Sequence, residues 1–312
     1  MGKSSTTLRH TARAVAAAMA VLLLVGCTSR PAEHIAAPAV PGAGSSSATG
    51  PASPPYQRYV ALGDSFTAGP YVPNTDLAQG CLRSSGNYPS LVAKRLDVAT
   101  LVDVSCSGAD TRDLVRPQNT FRDATVPTQL DALTEDTDLV TLGIGGNDFD
   151  LFGTLLQTCL QLRDGDPSGS PCADHLQEQG IDLGRQTSRI GERVATSIER
   201  IRERAPKARI LLVGYPRIVP TNGTCPRLLP LAEGDYPLAE NVAKTLYVAM
   251  SRAAKTTDVG FVGMYAASHG HDVCSDDPWV NGRFTDQTRA LAFHPFAAEM
   301  DAVADRIVDR LS

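Results

Sequence analysis

Five short apolar runs, separated by stretches with helical spacing, limit this chain to few possible folds. Three end in small polar turns, and a fourth runs into Gly214-Tyr215-Pro216. Tyr59-Val60-Ala61-Leu62 precedes Gly63-Asp64-Ser65, and Leu101-Val102-Asp103-Val104 precedes Ser105-Cys106-Ser107-Gly108. Leu139-Val140-Thr141-Leu142-Gly143-Ile144 precedes Gly145-Gly146-Asn147-Asp148, and Ile210-Leu211-Leu212-Val213 precedes Gly214-Tyr215-Pro216. A weaker fifth run spans 259–264. Such runs are too short for helices and lack strict alternation, as expected of strands buried on both faces. Ile190, Val194, Ile198 and Ile201 recur on one helical face, as do Met300, Val303, Ala304, Ile307, Val308 and Leu311; 238–255 also reads as helix. The alternation predicts an α/β fold, a three-layer α/β/α sandwich around a central parallel sheet of about five strands. Ligand sites in such sheets lie beyond the carboxyl ends of the strands, where these polar turns fall.

The first 26 residues carry Lys3, Arg9 and Arg13, no acidic residue, and an apolar stretch from Ala14 to Val25. That stretch is short of the ~20 residues a membrane span needs and reads as the core of a secretory signal. It ends in Leu24-Val25-Gly26-Cys27, which resembles the lipobox of bacterial lipoproteins. The resemblance implies that Cys27 is lipidated and becomes the first residue of an exported protein, held to the membrane and facing outward. Residues 27–55 are rich in Ala, Pro, Gly and Ser and read as a tether that buries no core. With no internal repeat or later boundary, 56–312 reads as a single domain.

Seven cysteines occur, and setting Cys27 aside leaves six, which in an exported chain suggests three disulfides. Six cysteines admit fifteen pairings. Sequential pairing, Cys81–Cys106, Cys159–Cys172 and Cys225–Cys274, closes the shortest loops and is the expectation. No C-x-x-C spacing points to a metal site. The net charge is −5 with both signs interspersed, so no basic surface for nucleic acid is indicated.

Chemistry concentrates in the turns. A serine hydroxyl needs a base to become a nucleophile, and histidine is the usual one. Attack on an ester creates an oxyanion that needs donors aimed at it. Gly63-Asp64-Ser65-Phe66, Gly108, Gly145-Gly146-Asn147-Asp148 and His294 before Pro295 resemble, in order and spacing, the GDSL/SGNH hydrolase family across about residues 56–312. That resemblance implies a flavodoxin-like SGNH fold and hydrolysis of acyl esters. It implies Ser65 as nucleophile, His294 as base, and an oxyanion hole from the Ser65 N–H, the Gly108 N–H and the Asn147 side chain. Asp64 is expected to hold the turn presenting Ser65, and Asp148 to brace the Asn147 loop. Pro295 suits the first position of a C-terminal helix. His10, His34, His175, His269 and His271 lie in the signal, the tether, or loops.

Family members usually carry an aspartate three residues before the histidine; here that position is Leu291. Some secreted members use a backbone carbonyl there, which implies a Ser–His dyad oriented by the Leu291 carbonyl. Asp276, Asp277 and Asp286 remain open as side-chain partners. The secreted, three-disulfide esterases and lipases of the family resemble this chain best and favour the sequential pairing. The expected partner is an acyl ester, lipid or cell-wall, and no cofactor is implied; a monomer is expected. Tyr71, Phe149, Phe152 and Trp279 are candidates for an acyl pocket. An acyltransferase or sugar deacetylase on the same site, and a non-catalytic surface-binding lipoprotein on the same fold, are the competing readings.

Overall fold

The computed structural model describes residues 55–312, so the signal segment, Cys27 and nearly all of the tether lie outside the described residues. The described strands are β1 (Arg58–Gly63), β2 (Thr100–Asp103), β3 (Gln118–Asn119), β4 (Thr125–Val126), β5 (Leu139–Gly143), β6 (Arg209–Val213) and β7 (Gly260–Val262). The principal helices are α1 (Tyr88–Arg95), α2 (Leu183–Arg204), α3 (Tyr236–Thr256) and α4 (Ala297–Leu311).

Five strands form one parallel sheet in the order β2-β1-β5-β6-β7, and β3 and β4 form a separate antiparallel hairpin. Tyr59 pairs with Leu101 on one side and Leu139 on the other, and Gly63 pairs with Gly143. Winding therefore reverses beside β1, and the crevice of a doubly wound sheet opens at the ends of β1 and β5.

Alternate residues of one strand feed two cores, because successive side chains point to opposite faces. Val60, Leu62, Val140 and Leu212 pack with Ile190, Val194 and Ile198 of α2 and Leu246 of α3. Tyr59, Ala61, Leu139 and Leu211 pack with Val92 of α1 and Met300, Val303 and Ile307 of α4. The result is the three-layer α/β/α sandwich. Asp182 caps helix α2: its carboxylate accepts the Arg185 N–H and so satisfies one of the free donors at a helix start.

The disulfides pair sequentially: Cys81–Cys106, Cys159–Cys172 and Cys225–Cys274. One local feature differs from expectation, and a second had no counterpart in the sequence. Pro295 does not open the last helix; it forms an isolated bridge with Val280, and α4 starts at Ala297 after Phe296. The stretch after Asp148 is a series of short helical turns, with Phe149 and Asp150 both at positive φ (55° and 57°).

Gly63 ends β1 in a place with no room for a side chain. Its N–H donates to Gln129 Oε1 (2.7 Å), and its carbonyl accepts from Gln129 Nε2 (2.9 Å), so the amide extends the ladder beyond the shorter β2. A Cβ here would lie 2.2 Å from Thr67 Oγ1 and 2.6 Å from the Gly143 carbonyl oxygen. Thr67 is itself tied to the Tyr88 hydroxyl at 3.1 Å. Gly63→Ala should therefore destabilise the domain by about 1–3 kcal/mol through overpacking. Urea denaturation should show a lower midpoint at unchanged slope; an unchanged midpoint would contradict the packing argument.

Candidate active site

Ser65 is the first residue of a single helical turn (Ser65–Ala68) that follows β1 directly. The turn is held from both sides. The Asp64 N–H donates to the Gly143 carbonyl of the next strand (2.9 Å), and Asp64 Oδ1 accepts the Phe66 N–H (2.9 Å). Ser65 is only 7% exposed, yet its hydroxyl has a partner from the far end of the chain. His294 Nε2 lies 2.7 Å from Ser65 Oγ.

The other ring nitrogen fixes the tautomer. Nδ1 lies 2.7 Å from the Ala292 carbonyl oxygen. A carbonyl can only accept, so Nδ1 carries the proton and Nε2 presents its lone pair to the serine hydroxyl. The carbonyl expected there was that of Leu291; it is that of Ala292 instead. Phe293 at φ 60° bends the chain so that the Leu291 oxygen accepts the His294 N–H (3.1 Å). The same Leu291 oxygen accepts from Asn281 Nδ2 at 3.2 Å, which leaves Ala292 facing the ring. Two of the three candidate carboxylates have partners elsewhere: Asp277 lies 3.3 Å from His271 Nδ1, and Asp286 accepts from Thr288; the ring nitrogens of His294 meet Ala292 and Ser65, not Asp276.

The His294 ring packs 5.2 Å from Phe66, which also contacts Tyr215 and Phe152. Desolvation in this aromatic setting pulls the His294 pKa down to about 4, with the Ala292 hydrogen bond pulling the other way. The imidazole is thus neutral, and free to accept a proton, at neutral pH.

Two further strand ends complete the constellation. Gly108 follows β2 at φ +82°, a backbone region that a side chain would strain. Among the described residues no acceptor meets the N–H of Ser65 or of Gly108. Asn147 follows β5, and its Nδ2 donates to the Ala109 carbonyl (2.8 Å). That bond uses one of two amide hydrogens and leaves the other available.

Two buried carboxyl groups tie these ends together. Asp64 Oδ2 accepts from the Tyr215 hydroxyl (2.5 Å), which accepts the Gly146 N–H (2.7 Å). Burial pushes the Asp64 pKa up to about 7, against the hydrogen bonds from Tyr215 and Phe66. Asp148 accepts from the Thr111 N–H (3.0 Å), the Thr111 hydroxyl (2.6 Å) and the Arg193 guanidinium (2.7 Å). Tyr215, Thr111 and Arg193 had no assigned role in the sequence. For Tyr215 the available signal was its place in a strand-end turn.

The four pocket aromatics do not form one group. Phe152 contacts Phe66 and Tyr215, whereas Phe149 lies beneath Arg189 and Arg193, at 4.4 and 3.9 Å from its ring. Trp279 stacks on His271 at 4.1 Å. Tyr71 sits half-buried at positive φ after Pro70, whose carbonyl accepts the Leu291 N–H. The arrangement as a whole places an activatable hydroxyl, a neutral base and oriented donors at one crevice, which suits acyl transfer.

A model of the GDSL-like lipase/acylhydrolase family matches residues 61–300. The chain is similar to Lipase 2 of Streptomyces coelicolor, 40% identical over 227 residues, covering 70% of this chain and 74% of that protein. It is also similar to an esterase of Streptomyces scabiei, 29% identical over 315 residues, covering 88% and 90% respectively. Among solved structures, phospholipase A1 from Streptomyces albidoflavus superposes with a TM-score of 0.66 at 28% identity, over 82% of this chain and all (100%) of that one.

Titration of the His294 ring, followed by NMR, should give a midpoint near pH 4, below the ordinary value of 6.5. Asp277→Asn should leave that midpoint where it is. A midpoint at 6.5 or above would mean a ring charged by solvent or by a carboxylate rather than one held neutral by burial.

Proposed function

Because the chain belongs to the GDSL-like lipase/acylhydrolase family and is a carboxylic ester hydrolase, we propose that Ser65 is its nucleophile and His294 its general base. The observation that carries this reading is the 2.7 Å approach of His294 Nε2 to Ser65 Oγ. As Oγ bonds to the ester carbonyl carbon, its proton passes to Nε2. The carbonyl oxygen becomes an oxyanion, held by the N–H groups of Ser65 and Gly108 and the Asn147 amide. On collapse the bond to the alcohol oxygen breaks, and His294 returns the proton to the departing alcohol. Water, deprotonated by the same imidazole, then releases the acid from Ser65.

No carboxylate completes a triad in this reading. The Ala292 carbonyl holds the ring by Nδ1 and offers a dipole, not a charge, to the transient imidazolium. The low pKa follows: without an adjacent anion, desolvation outweighs the opposing hydrogen bond from the ring to the Ala292 carbonyl. The substrate is an acyl ester of a lipid or cell-wall component. Export is supported by three disulfides, which persist in oxidising compartments. Attachment to the membrane through Cys27 rests on the sequence of residues 24–27.

Ser65→Ala and His294→Ala should each abolish turnover of a p-nitrophenyl ester. Asn147→Ala should cut kcat by about 10²–10³-fold, the usual loss for one oxyanion donor. The acid limb of kcat/KM should fall near pH 4, because the base acts only while neutral and its pKa lies at about 4. Wild-type turnover by Ser65→Ala would remove the proposed mechanism.

A further inference from the structure

Phe121 is the most exposed large apolar side chain among the described residues, 71% open to solvent. It is nevertheless not loose. Its ring edge rests on Gly108: a Cβ at that glycine would sit 3.4 Å from Phe121 Cζ and 3.6 Å from Cε2. One edge of the ring thus borders the crevice and the rest faces outward.

The support beneath it is rigid. Phe121 stands at the tip of the β3–β4 hairpin, closed by the Thr120 N–H to the Ala124 carbonyl (2.8 Å). Gln118 Nε2 donates to the Ser107 carbonyl (2.9 Å), and Thr120 Oγ1 donates to the Gln79 carbonyl (2.7 Å). Both acceptors flank the Cys81–Cys106 disulfide, and the Ser107 N–H donates to the Cys81 carbonyl (3.0 Å). The hairpin is therefore fastened to the same turn that places Gly108. A bare aromatic ring in water gains nothing from such fastening; a ring that covers a ligand does, because no ordering is left to be done on binding.

Position decides which part of an ester it meets. This step rests on the assignment of Ser65 and His294 above. The departing oxygen must lie against His294 Nε2, whose ring is walled by Phe66. The carbonyl oxygen must point at Gly108 and Asn147. The remaining substituent of the carbonyl carbon is the acyl chain, and the exposed ring stands beside Gly108, next to where the carbonyl oxygen is held. We propose that Phe121 is a fixed aromatic lip that covers the first methylenes of an unbranched aliphatic acyl chain, so that the enzyme selects fatty-acyl esters over acetyl esters.

The test uses two ester series on the full domain. In the first, p-nitrophenyl acetate, butyrate and octanoate vary the acyl chain at a constant leaving group. In the second, ethyl, butyl and octyl acetates vary the alcohol. Phe121→Ala should lower the octanoate-to-acetate ratio of kcat/KM by about tenfold, and Phe121→Leu should retain most of it. The ratios within the alcohol series should move by less than about twofold. An unmoved octanoate-to-acetate ratio, an equal loss on every ester, or a loss confined to the alcohol series would each overturn the proposal. Ser65→Ala run beside these variants separates the two levels. If it is inactive while Phe121→Ala keeps the wild-type ratio, only the lip falls; if it keeps activity, the site assignment falls and the lip with it.

Discussion

The Asp64 carboxyl group has no exposure to solvent, and three strand ends converge on it. Its Oδ1 holds the Phe66 N–H after β1, and its Oδ2 holds the Tyr215 hydroxyl after β6. That hydroxyl in turn holds the Gly146 N–H after β5. A buried carboxyl left without partners would cost several kcal/mol, so the network holds only if all three turns keep their places. Asp148 does the same work one layer out, joining the turn after β2 to helix α2 through Thr111 and Arg193. Loops at strand ends would otherwise be free to drift; here two buried acids make them one rigid object.

That rigidity is what the chemistry needs. A hydroxyl and an imidazole 229 residues apart in sequence sit at hydrogen-bond distance because the turn after β1 and the bend at Phe293 are each fixed independently. The proposed oxyanion donors come from different strand ends, so their mutual geometry depends on the Asp64 and Asp148 networks rather than on any single loop. Preorganised donors stabilise developing charge without rearranging at the moment of reaction. Phe66 packs on the imidazole, with Tyr215 and Phe152 packed behind Phe66, and desolvation holds the ring's pKa low with no anionic partner beside it.

Much of this was legible in the amino-acid sequence, for physical reasons. The central strands are buried on both faces, so they appear as unbroken apolar runs; α2 and α4 are amphipathic, so their inner faces repeat at helical spacing. Sequential disulfides follow from loops that double back locally. Other parts left little trace. The β3–β4 hairpin is two residues a side and mostly polar, too short to show alternation. The turns at Phe149 and Asp150 place non-glycine residues at positive φ, which residue type does not announce. The same is true of Phe293, and it is why the carbonyl meeting His294 is that of Ala292 and not Leu291. Tyr215 was visible as a turn residue, but its bond to Asp64 spans 151 positions and depends on the order of strands in the sheet.

The central claim is that His294, held by the Ala292 carbonyl and by no carboxylate, acts as the base for Ser65. Labelling with a fluorophosphonate, followed by peptide mass spectrometry, addresses it directly, since only an activated serine is phosphonylated at neutral pH. The account predicts a single adduct on the peptide containing Ser65, lost in His294→Gln and retained in Asp276→Asn, Asp277→Asn and Asp286→Asn. An adduct on a different serine, or labelling of Ser65 that survives His294→Gln at the wild-type rate, would contradict it.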